Sequence, residues 1–190
     1  MVDEENHYYF KTKEEWRKWL EKNHNSSNGI YLIFYKVESS YESMRWEEAV
    51  REALCFGWID STVKKLDNER RRQYFSPRNN KSTWSKLNKT YIKELIENGL
   101  MHEAGLAKIE MAKQNGSWTA YDDVENFIIP DDLKKAFNKN KKAFENYLNF
   151  SKTYKKSYLY WLHQAKRSET REKRIKEIIE LCANNKKTKQ

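Results

Sequence analysis

Short apolar blocks alternate with polar turns along the first half of the chain, and the spacing within each block names its element. Thr12 and Glu15 have capping-box spacing ahead of Trp16, Trp19 and Leu20, so a helix is expected that stops in the turn-forming cluster Asn23–Gly29. Ile30–Val37 is β-branched and aromatic and reads as a strand. Ser43 is placed to cap a helix over Trp46–Phe56, whose Ala49, Val50, Ala53 and Leu54 share one face; Gly57 can end it in a left-handed conformation. Trp58–Leu66 and Arg71–Ser76 flank the polar turn Asp67–Glu69, and Pro77 halts the second of them for lack of a ladder donor. These strands predict a small antiparallel sheet of about three strands.

From Ser82 onward the period is helical. Helices are expected over Trp84–Asn98 and His102–Asn115, stopping at Gly99 and Gly116, and then over Leu133–Phe150, Tyr154–Ala165 and Glu169–Ala183. Pro130-Asp131-Asp132 reads as a helix start, with carboxylates at the positive end of the dipole. The expected fold is α+β: a sheet packed with helices in residues 1–128, then a three-helix basic subdomain in residues 129–190.

Composition changes this picture little. Only 38% of the 190 residues are apolar and 34% are charged, but 14% are aromatic, which argues for a folded chain over a disordered one. Charge is distributed unevenly. Residues 134–190 hold 17 Lys/Arg against 5 Asp/Glu, whereas residues 1–133 hold 20 against 23, so the net charge of +9 arises entirely in the last third. Such a bias suits a nucleic-acid or anionic-membrane surface, or a simply solvated Lys-rich face. The start of the chain lacks a basic, apolar leader and no apolar run reaches membrane-spanning length, so a cytoplasmic protein without a membrane span is expected. Cys55 and Cys182 each lie in an apolar helical pattern and read as buried thiols.

The stretch Phe75–Asn88 is the richest in chemistry. Ser82 is placed to cap the following helix, and Arg78 and Lys81 precede it; with Trp84 and Ser85 these residues could hold a phosphate or carboxylate over the first-turn amides. The competing reading has Arg78 paired with Asp60 as a strut and Trp84 in the core. In the C-terminal third, Lys152, Lys155, Lys156, Lys166, Arg167, Arg171 and Arg174 lie among Tyr154, Tyr158, Tyr160 and Trp161, a pattern that fits nucleic acid. Yet Tyr154, Tyr158, Trp161 and Ala165 also recur at helical spacing, as a core-facing stripe does. The four His and two Cys lack metal-ligand spacing, and no nucleophile elbow, P-loop or dinucleotide fingerprint is present. No metal, cofactor or catalytic residue is expected.

Several of these segments together resemble the bacteriocin-protection family called YdeI or OmpD-associated. The resemblance rests on Ala53–Asp60, on Phe75–Arg78 with Lys81–Ser85 and Asn88, and on Gly99–Met101, Gly105 and Ala112-Lys113. Pro130–Leu133 looks like the opening of the family's C-terminal helical module, and Ala165-Lys166, Glu169–Arg171 and Arg174-Ile175 look like its close. Asn79 departs from the family's usual second basic residue. The resemblance implies a link to resistance against antimicrobial peptides or bacteriocins and brings no reaction with it. The expected function is therefore a non-catalytic protection protein that binds an anionic small molecule or protein partner. The alternatives are nucleic-acid binding on the basic C-terminal face, or an enzyme acting on a phosphorylated or carboxylated small molecule.

Overall fold

Thirteen elements form among residues 6–188, the part that the computed structural model describes. Contacts divide the chain into two compact units between Ala120 and Tyr121, ahead of Pro130.

The first unit is a four-stranded sheet with helices: β1 (His7–Tyr9), α1 (Lys13–Asn23), β2 (Ile30–Tyr35), α2 (Trp46–Cys55), β3 (Trp58–Lys65), β4 (Arg70–Pro77), α3 (Lys86–Glu97) and α4 (Glu103–Gln114). Sheet order is β1-β2-β4-β3. The β2–β4 and β3–β4 pairs are antiparallel, as expected from the sequence. The fourth strand is a correction. His7, Tyr8 and Tyr9 pair in parallel with Tyr31, Leu32 and Ile33, which makes the sheet mixed. Three residues carry too little periodicity to announce a strand, and the parallel pairing is possible because α1 supplies the crossover.

The strand alternation buries one face. Ile30, Leu32 and Phe34 of β2 and Phe75 of β4 join Trp16, Leu20, Ala49, Ala53 and Leu54 in the core. Buried tryptophans satisfy their N–H groups there: Trp16 Nε1 donates to the Ala49 carbonyl and Trp58 Nε1 to that of His24, each at 3.1 Å. Gly57 ends α2 at φ +71°, with its N–H bonded to the Leu54 carbonyl, as the sequence suggests. Ser43 does not cap α2. Its hydroxyl accepts from the Tyr35 N–H, and the helix begins after Arg45, whose N–H donates to the Glu48 carboxylate at 2.8 Å.

The second unit comprises α5 (Asp122–Glu125), α6 (Asp131–Asn138), α7 (Lys141–Asn149), α8 (Lys152–His163) and α9 (Ser168–Ala183). The single helix expected over Leu133–Phe150 is two, because Asn140 caps α7 by accepting from the Ala143 N–H at 3.1 Å. Leu133, Phe137, Tyr147, Leu162, Ile178 and Cys182 form the core of this unit. Tyr158 belongs to it, and Tyr154 and Trp161 pack against it, so the aromatic stripe of α8 serves packing. Among the described residues no helix is long and apolar enough to cross a membrane.

Candidate functional site

Pro77 ends β4, and the next residue turns into the protein. The Arg78 N–H donates to the Gly57 carbonyl at 2.9 Å, fastening the start of the loop to the end of α2. The Arg78 side chain is buried, with 4% of the residue exposed. Its guanidinium stacks on Trp84, the Cζ atom 3.6 Å from the ring centroid, and Nη2 donates to the Thr83 carbonyl at 2.5 Å. Nε and Nη1 are buried and find no hydrogen-bond partner among the described residues. Burial lowers the Arg78 pKa from its ordinary value to about 10, against the opposing pull of Asp60, so the group stays cationic at neutral pH.

Asp60 stabilises that charge through space without pairing to it. Its carboxylate instead accepts from Trp46 Nε1 at 3.0 Å and from Gln73 Nε2. Of the two arrangements expected for Arg78, an Asp60 ion pair is therefore replaced by a stacked cation with two unused donors. Gln73 Oε1 is also buried without a partner among the described residues.

The rest of the expected cradle is corrected. Ser82 does not cap α3: its N–H and hydroxyl both bond to the Asn79 carbonyl, at 3.0 and 2.8 Å, closing a tight turn. Ser85 is the cap, its hydroxyl accepting from the Asn88 N–H at 3.2 Å. The amides between Ser82 and Ser85 accordingly precede the helix and offer no dipole terminus. Lys81 is exposed, and its N–H bonds to Asn79 Oδ1. What the structure does bring together is Arg78, Trp84 and the Thr83 carbonyl. Sequence reasoning missed the residue that pins this loop, Asn80. Its side chain accepts from Lys108 Nζ, and its carbonyl from Asn115 Nδ2, both at 2.7 Å.

The basic residues of the second unit are partly occupied. Lys156 pairs with Glu125 at 2.6 Å, Arg171 holds both oxygens of Asp132, and Arg174 donates to the Trp161 carbonyl while stacking on its ring. Lys152, Lys166 and Arg167 are exposed and Lys155 is half-buried. Internal partners thus hold three of the seven cations proposed for nucleic acid.

Among the described residues no cluster of His, Cys, Asp or Glu could hold a metal ion. Both cysteines are free and buried; burial pushes the Cys55 thiol up to about 11 and the Cys182 thiol to about 12, so neither is a ready nucleophile.

With this geometry in view, two family models match the chain. Residues 8–108 match the family described as Domain of unknown function (DUF8412). Residues 126–185 match the family described as Bacteriocin-protection, YdeI or OmpD-Associated, the one the sequence resembles. The latter match takes in the opening and closing motifs of the C-terminal module, whereas the central motifs around Gly57 and Arg78 fall within the former. No curated protein and no solved structure matches.

Proposed function

The chain belongs to the family described as Domain of unknown function (DUF8412), and on that footing we propose that its first unit binds a small oxyanion, a carboxylate or phosphate, against the guanidinium of Arg78. The observation that carries this reading is the pair of buried, unpartnered nitrogens Nε and Nη1. A buried charge with unmet hydrogen bonds costs several kcal/mol, and an apolar side chain of similar size would fill the same space without that cost. An anion seated on the free donors offsets it, and the Trp84 ring holds the guanidinium in one orientation to receive it.

The protein acts in this reading as a non-catalytic binder within the bacteriocin-protection type to which residues 126–185 belong. Direct capture of cationic peptides is disfavoured, because a protein of net charge +9 repels them at long range.

Thermal unfolding in inorganic phosphate and in citrate, each against sodium chloride at equal ionic strength, tests the proposal. A specific anion at 100 times its dissociation constant adds about 2.7 kcal/mol of stability. Arg78→Met should fold, match or exceed the wild type in stability without anion, and lose the anion response. A wild-type protein that responds to neither anion, or an Arg78→Met variant that keeps the response, defeats the assignment.

A further inference from the structure

The sheet buries one face and leaves the other outside both apolar cores. Residues that alternate with the buried set, His7 and Tyr9 of β1, Tyr31 and Tyr35 of β2 and Tyr74 of β4, are all half-exposed, and none belongs to either cluster. Cross-strand register puts them side by side, with Tyr31 opposite both His7 and Tyr74. Their rings touch in two rows. Tyr74 meets Tyr31 at 4.9 Å, and Tyr31 stacks on His7 at 5.0 Å. Tyr9 meets Tyr35 at 5.3 Å, and Tyr35 stacks on Tyr41 at 4.8 Å. The second row continues into a cleft of about 410 Å³ lined by Tyr35, Tyr41 and the β3–β4 turn, Asp67–Arg70.

Cations accompany the rings. Arg72 shares this face, opposite Ile33 on one side and Lys64 on the other, and its guanidinium lies 4.5 Å from the Tyr31 centroid. Arg72 bonds to His7 Nε2, while its own Nε and the Nδ1 of His7 are buried without a partner among the described residues. Arg70 stands opposite Tyr35 and is paired with Asp67, whereas Lys64 is exposed.

We infer that this face binds single-stranded nucleic acid, with bases packing on the outer edges of the tyrosine rows and phosphates meeting Lys64, Arg70 and Arg72. The rings spend faces on one another and on Arg72, so a base meets them face to edge, a contact that any base can make because every base has a π-face, and the adjoining cations match the charge of the backbone. The face is distinct from the Arg78 site, since Arg78 lies past the end of β4, buried against Trp84 of the apolar core.

Fluorescence anisotropy of the full chain with a labelled 12-nucleotide single strand, and with the same sequence as duplex, tests this at low salt. The single strand should bind more tightly, because a duplex hides the base faces. Tyr31→Leu and Tyr74→Leu should each weaken binding about tenfold while preserving apolar volume, and Tyr31→Phe should restore it. Arg78→Met should bind as the wild type does, separating this face from the anion site. Absence of binding, equal affinity for duplex, or undiminished binding by both leucine variants would overturn the inference. So would a loss seen only when Lys152, Lys166 and Arg167 are replaced.

Discussion

Gly105 of α4 lies against the backbone carbonyl of Cys55 at the end of α2, so close that a Cβ at position 105 would overlap that oxygen. The His102 N–H donates to the same carbonyl at 3.1 Å, so the two helices meet here main chain to main chain. Intrinsic propensity favours Ala over Gly inside a helix by about 1 kcal/mol. The overlap with rigid backbone outweighs it, and Gly105→Ala should destabilise by about 1–3 kcal/mol, as overpacking does. Urea unfolding measures the balance, and a gain in stability would mean that α2 and α4 lie farther apart.

Ser85 and Ser82 should differ on truncation. Ser85→Ala removes the hydroxyl that caps α3 and should cost about 1 kcal/mol. Ser82→Ala removes an exposed bond to the Asn79 carbonyl and should cost under about 0.5 kcal/mol. Denaturant midpoints of the two variants check the order, and equal losses would restore Ser82 as part of the cap.

The cysteines give an alkaline signature. Their thiols keep their protons to about 11 and 12 in the fold, whereas an unfolded Cys ionises near about 8.5. The folded state therefore binds more protons above that pH. The thiols' contribution is complete below about pH 8.5 and is lost progressively as pH climbs toward the folded values. A thiol reagent at pH 8 should label neither residue in native protein and both after unfolding. Rapid native labelling would place a thiol at the surface.

Asp132 gives the opposite sign. Its hydrogen bonds from Arg171 hold the carboxyl below the ordinary carboxylate range. The stability it adds is complete above about pH 4 and declines as pH falls through the lowered value. The pair is part-exposed, so Asp132→Asn should cost about 0.5–1 kcal/mol at pH 7 and flatten part of the acid limb of the stability curve. An unchanged acid limb would show that the pair contributes nothing.

Local chemistry alone determined many of the elements. Thr12 accepts from the Glu15 N–H, and the Glu15 carboxylate accepts from the Lys11 N–H at 2.8 Å, so the start of α1 is written within five residues. The same holds for the alternating strand β2 and for the hairpin β3–β4 around Asp67, whose carboxylate accepts from the N–H groups of Glu69 and Arg70. Ile178 and Cys182 of α9 likewise face the core, as their spacing requires.

Arg78 and its surroundings were only half legible. That Pro77 would end the strand just before it followed from the sequence; that it would stack on Trp84 and leave Asp60 to Trp46 and Gln73 did not. Two serines with equal capping ability competed for α3, and Asn80, held from α4 and Asn115, anchors the turn that leaves the role to Ser85. Caps, turns and periodicity act over a few residues and can be read along the chain. The partner of a buried cation, the parallel strand β1 and the open aromatic face depend on which distant segments compete for the same space, and only the folded chain decides that.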